Sequence, residues 1–170
     1  MNMSPATSSK PAVNTADDLV RKNVFVKTTP QRAFEVFTNE MSTWWPLVSH
    51  NISKVEAKDA VVEPFVGGRW FERGVDGSEC DWGHVLAWDP PGRVVLAWQL
   101  NAAFQHDTAL LTEVEVRFTP ENGGTRVDLE HRLLRNYGAR AEEMKKTFEE
   151  PAAWSGILTA FASRAARAGD

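Results

Sequence analysis

Two runs in the second half of the chain constrain its fold more than any other feature. In TEVEVRFTP, Glu113, Glu115 and Arg117 alternate with Val114, Val116 and Phe118. In TRVDLEHRLL, Arg126, Asp128, Glu130 and Arg132 alternate with Val127, Leu129, His131 and Leu133. A period of two is a strand pattern, because successive side chains leave a strand on opposite faces. The ENGG between the runs supplies a tight turn. The pair therefore reads as an antiparallel hairpin with one charged face and one covered face. Something apolar elsewhere in the chain has to cover it.

The C-terminal segment meets that need. Trp154, Ile157, Leu158, Phe161 and Ala165 fall on one helical stripe, with Pro151 at the start and Arg164 and Arg167 near the end. Glu149 and Glu150 suit the positive end of a helix beginning near Pro151, and the two arginines suit its negative end. RNYGARAEEMKKTFEE, just before it, reads as a loop and a short helix. Upstream the signals are strands: LVRKNVFVKT with Val24 and Val26 on one face, then ISKVEAK, AVVEPF, RWFERGV, ECDWGHVLAWD and RVVLAWQL. Asp76-Gly77 and Pro90-Pro91-Gly92 mark turns between them. Thr29 before Pro30 opens a short helix after the first strand, with Phe34, Phe37 and Met41 at helical spacing and Pro46 ending the run. A meander of hairpins with one long helix against it is an α+β domain.

A length of 170 residues suits one domain. MNMSPATSSKPAVNTADD lacks the apolar core of a signal peptide, so residues 1–18 are expected to be a disordered tail and residues 19–170 the domain. No run of the sequence can span a bilayer. A formal net charge of −4 gives no basic face for nucleic acid. The lone Cys80 excludes an internal disulfide and suits a reducing cytoplasm. His50, His84, His106 and His131 show no metal-binding spacing, and neither a GxSxG elbow nor a phosphate-cradling loop is present, so no metal and no cofactor are expected.

What remains is aromatic. In WGHVLAWDPPGRVVLAW, an inward Trp82 brings His84, Leu86 and Trp88 with it; otherwise Gly83, Val85 and Ala87 face in, barring a bulge. Trp98 shares its face with Leu96 and Leu100. Trp44 and Trp45 stand at a helix end. His131 is a polar group on an apolar face, either a buried neutral imidazole with a partner or a reader of a ligand's polar end. Glu72 and His84, on neighbouring strands, could meet and move a proton, although no third group orients them.

GGRWFERGVDGSECDWGHVLAWDPPGRVVLAW, TEVEVRFTPENGGTRVDLEH and AWSGILTAF together resemble the activator of heat-shock protein 90 ATPase homologue 1-like family. That family lies in the START-related SRPBCC superfamily, and the resemblance runs from about Val20 to Ala165. It implies a helix-grip (START/Bet v 1-like) fold, a curved antiparallel sheet wrapped around a long C-terminal helix with a cavity between them. Superfamily members use such cavities for lipids, hormones, polyketides and other apolar ligands. The candidate lining is Trp44, Trp45, Trp70, Glu72, Trp82, His84, Trp98, His131, Trp154, Leu158 and Phe161. The leading expectation is a binding protein, monomer or homodimer, for a small hydrophobic molecule such as a lipid or aromatic metabolite. A chaperone partner is the second reading, because the family takes its name from a co-chaperone. A cyclase or aromatase is the third, with Glu72, His84 and His131 as the inviting acids and bases; no catalytic residue is assigned.

Overall fold

A computed structural model describes residues 18–168. Strand β1 (Leu19–Val26) leads into helix α1 (Pro30–Thr38) and a short 3-10 turn (Met41–Thr43). A meander follows: β2 (Ala57–Val62), β3 (Arg69–Gly74), β4 (Glu79–Asp89), β5 (Arg93–Trp98), β6 (Thr112–Glu121) and β7 (Gly124–Arg132). The chain then makes a 3-10 segment (Leu134–Arg140), helix α2 (Ala141–Glu149), a wide turn (Pro151–Ser155) and helix α3 (Gly156–Ala168). The strands form one antiparallel sheet in the order β1-β7-β6-β5-β4-β3-β2, so the first strand pairs with the last.

Local chemistry fixes most of these elements. The Thr29 hydroxyl accepts the Arg32 N–H at 3.1 Å, and Pro30 takes the first helical position of α1. Between β6 and β7, Asn122 and Gly123 both take positive φ (48° and 79°), as a tight hairpin turn requires. Across this hairpin Val114 opposes His131, Val116 opposes Leu129 and Phe118 opposes Val127, all buried. The opposite face carries the charges in a ladder: Arg132 bridges Glu113, Glu115 and Glu130, while Arg93 reaches Glu115 and Asp89. Partial burial works against the Glu115 carboxylate, but Arg93 and Arg132 outweigh it and hold its pKa below the usual range.

Helix α3 lies against α1 and β1 and buries the stripe expected of it, Ile157, Leu158, Phe161 and Ala165. Three boundaries differ from expectation. ISKVEAK and AVVEPF yield a single strand, β2, because the backbone N–H groups of Ile52 and Ser53 bond the Glu72 carboxylate instead of a neighbouring strand. The last helix becomes regular only at Gly156, since Ala153 (φ −84°, ψ −127°) breaks the helical run. Asp18, placed by the sequence in the tail, pairs with Arg135 and caps its backbone N–H. Residues 1–17 of that expected tail lie outside the described residues. No described helix is long and apolar enough to cross a membrane.

Candidate functional site

Strand β4 takes neither of the two faces that strict alternation allows. Its pairing with β3 shifts at Trp82, and its pairing with β5 shifts again at Leu86. Each extra residue reverses the alternation. Trp82 and Val85 consequently both lie in the core, and Trp88 packs against it. Between them Gly83 lies so close to β5 that a Cβ would sit 1.7 Å from the Ala97 carbonyl oxygen.

The result is a closed ring of five indoles. Trp45 meets Trp82 (5.0 Å between centroids), Trp82 meets Trp70 (5.4 Å) and Trp70 meets Trp98 (5.7 Å). Trp98 then meets Trp154 (5.6 Å), which returns to Trp45 (6.0 Å). Tilted and edge-to-face contacts at these separations are favourable geometries for aromatic pairs. Most of the ring's N–H groups have partners: Trp45 donates to the His50 carbonyl (2.9 Å), Trp82 to Glu72 (2.8 Å), Trp154 to His131 (3.1 Å) and Trp70 to the Met41 sulfur (3.3 Å). The buried Trp98 N–H completes no hydrogen bond.

One side of this ring is a cavity wall. The cavity holds about 340 Å³, within the range used for small ligands, and lies between the sheet, the end of α2 and the start of α3. Trp45, Trp82, Trp98 and Trp154 line it with Leu100, Phe104, Phe148 and Ile157. Its polar lining comes from Ser49, His50, Asn51, Thr147 and Glu150.

The other candidates stand behind this wall or away from it. Trp70 completes the ring without lining the cavity, and Trp44 packs on Phe37 and Phe161. Leu158 and Phe161 belong to the buried stripe of α3. Glu72 and His84 do not form the pair that the sequence allowed. The buried Glu72 carboxylate accepts three N–H groups, from Ile52 (2.7 Å), Ser53 (3.1 Å) and Trp82 (2.8 Å), and so ties a loop to the aromatic ring. The half-buried His84 instead has Nδ1 3.1 Å from the Gln99 side-chain oxygen.

His131 is fully buried behind Trp154, and burial pushes its pKa down to about 3. Its neighbours decide the tautomer. The Thr112 hydroxyl gives its proton to the Trp98 carbonyl (2.9 Å), so it can only accept from Nε2 of His131, also at 2.9 Å. Nδ1 then accepts from Trp154. Both ring nitrogens are satisfied within the protein.

The pair that sequence reasoning missed is Ser49 and His50. Ser49 Oγ lies 2.7 Å from His50 Nδ1, and His50 Nε2 lies 2.8 Å from the Ala152 carbonyl oxygen. The sequence weighed His50 only as a metal ligand. The one local signal was its place in the loop that Pro46 begins, just after the two tryptophans. Among the described residues, no group of three His, Cys, Asp or Glu side chains could hold a metal ion.

A curved antiparallel sheet gripping a C-terminal helix, with an aromatic-walled cavity between, defines a helix-grip protein of the START-related SRPBCC class. Within that class, the chain belongs to the activator of Hsp90 ATPase homolog 1-like family, whose model matches residues 27–165. Among solved structures it is similar to an anthrahydroquino-γ-pyrone synthase (39% identity, TM-score 0.60, 86% of this chain and 96% of that one). It is also similar to CalC, a self-sacrificing resistance protein from Micromonospora echinospora (29% identity, TM-score 0.67, 90% and 97%). The Aha1 dimer from Colwellia psychrerythraea shares the fold (15% identity, TM-score 0.52, 85% and 92%). No curated protein sequence matches the chain.

Proposed function

We propose that this protein binds a small, mainly apolar aromatic molecule in the cavity beside the indole ring. The carrying observation is the composition of the wall: four tryptophans and two phenylalanines line a space of about 340 Å³. Flat aromatic walls suit a planar ligand better than a flexible acyl chain, which loses more rotational freedom on binding. The similar pyrone synthase, whose name denotes a fused aromatic product, supports the same ligand class.

The test is a titration read by tryptophan fluorescence, since four of the seven tryptophans line the cavity. Anthraquinone should quench saturably, palmitate should quench less, and Trp45→Ala should weaken anthraquinone binding about tenfold, as the loss of a stacking face of about 1–1.5 kcal/mol implies. Absence of saturable quenching by either compound would overturn the proposal. Stimulation of a chaperone ATPase by the same non-binding protein would put the family's other reading in its place.

A further inference from the structure

The hydrogen bonds of Ser49 and His50 have a direction. The Ala152 carbonyl can only accept, so His50 Nε2, 2.8 Å away, carries the ring proton. In the neutral imidazole Nδ1 is then a bare lone pair, and the Ser49 hydroxyl, 2.7 Å away, donates to it. A hydroxyl aimed at an imidazole that a third group orients from behind is the geometry of an activated hydroxyl–base pair. Both side chains line the cavity, and Ser49 is exposed. The Ser49 hydroxyl also lies 3.5 Å from the Pro46 carbonyl, a much longer approach than its 2.7 Å to His50, whereas Asn51 donates to the Leu47 carbonyl (2.7 Å) and Thr147 to the Glu143 carbonyl (3.1 Å).

We infer that Ser49 and His50 form a proton-accepting subsite that takes hydroxylated aromatic ligands as their phenolates. The phenol O–H bond breaks and its proton passes to Ser49 Oγ while the serine proton moves to His50 Nδ1. The electron pair stays on the ligand oxygen, opposite an imidazolium that still donates Nε2–H to the Ala152 carbonyl. Atoms and charge balance without a further reactant. The inference rests on the aromatic-ligand reading and deepens it.

The surroundings make the sign of the effect diagnostic. Besides His50, the titratable group lining the cavity is Glu150, and Glu72 holds the amides of Ile52 and Ser53 on the adjoining stretch of loop. Carboxylates oppose a second negative charge, and apolar walls disfavour an ionised phenol. Both push a bound phenol's pKa upward, so a downward shift has to come from His50.

Alizarin, whose colour reports its ionisation, tests this against anthraquinone, which has no hydroxyl group. Both dyes should quench tryptophan emission, and bound alizarin should ionise at a pH about one unit or more below that of the free dye, a tenfold or greater shift in its equilibrium. His50→Gln keeps an amide that can bond the Ala152 carbonyl but cannot take a proton. In that variant anthraquinone, which has no proton to give, should still quench saturably, whereas alizarin should bind more weakly above its free ionisation pH and its ionisation midpoint should return to or rise above the free value. Ser49→Ala should remove most of the shift. Quenching with an equal downward shift in His50→Gln, or an upward shift in the unsubstituted protein, overturns this inference and leaves the cavity reading standing. If neither dye quenches, both fall together.

Discussion

Trp154 donates its indole N–H to Nδ1 of His131 across 3.1 Å, which joins the turn before α3 to the last strand of the sheet. The imidazole continues the chain through Thr112 to the Trp98 carbonyl. Four residues from α3's approach, β7, β6 and β5 are thereby locked in one proton order. His131 is thus satisfied without a ligand, which favours a structural role for it over one in reading a bound molecule.

Its buried neutrality makes stability depend on pH. The folded pKa of about 3 lies below the ordinary value of 6.5, so between these limits the unfolded chain binds the extra proton. His131 therefore contributes stability that is full above the unfolded value and is lost as pH falls towards the folded one. Denaturant unfolding should show a slope of about 1.4 kcal/mol per pH unit from this group across that window. His131→Leu should remove that slope and, by stranding the Trp154 N–H, cost about 1–3 kcal/mol at neutral pH. An unchanged slope in the variant would show that the imidazole is not neutral and buried.

Trp154→Ala should cost about 3–5 kcal/mol, because it removes a buried indole from the aromatic ring and strands His131 Nδ1. The measure is the shift in the denaturation midpoint at constant m-value. A loss below about 1 kcal/mol would mean that the ring contributes little to packing.

Glu72→Gln retains the shape of the side chain but turns one acceptor oxygen into a donor. One of the three N–H groups it serves then faces another N–H. The variant should lose about 1.5–3 kcal/mol, the worth of hydrogen bonds to a charged group. Hydrogen exchange at the amides of Ile52 and Ser53 should quicken about tenfold or more, with the effect confined to that loop if the tie is local. Equal protection in both proteins would count against it.

Gly83→Ala should be the most damaging of these substitutions. Its Cβ would lie 1.7 Å from the Ala97 carbonyl oxygen and 2.7 Å from the carbonyl carbon, both backbone atoms that cannot step aside without parting β4 from β5. A loss above about 4 kcal/mol is expected, visible as failure to accumulate folded protein or as lost near-ultraviolet dichroism. A variant within about 1 kcal/mol of the parent would show that the two strands are more loosely apposed.

The legible parts of the sequence were those where one local rule acted alone. The alternation from Thr112 to Arg132 gave strand, face and register, and the stripe from Trp154 to Ala165 gave the covering helix. Strand β4 was illegible because two bulges turn a period of two into inward residues three apart, Trp82, Val85 and Trp88, and nothing in their identities announces a bulge. Among the site candidates, aromatic density pointed to the neighbourhood but not to which rings touch the cavity; Trp45, Trp82, Trp98 and Trp154 do, while Trp44 and Trp70 back them. Ser49 and His50 escaped notice because the third member of their constellation is a main-chain carbonyl more than a hundred residues away, at Ala152, where sequence carries no mark.

The pairing of β1 with β7 sets a timetable for the nascent chain. Arg21 and Glu130, bonded across that seam, are 109 residues apart in sequence. As the chain leaves the ribosome, Leu19–Val26 emerges first among the strands and has no partner until Gly124–Arg132 follows. Meanwhile β2 to β6 can zip hairpin by hairpin, each closing a short loop, whereas the last seam closes the longest one and bears the largest entropic cost. The oldest strand of the sheet is the last to be enrolled in it.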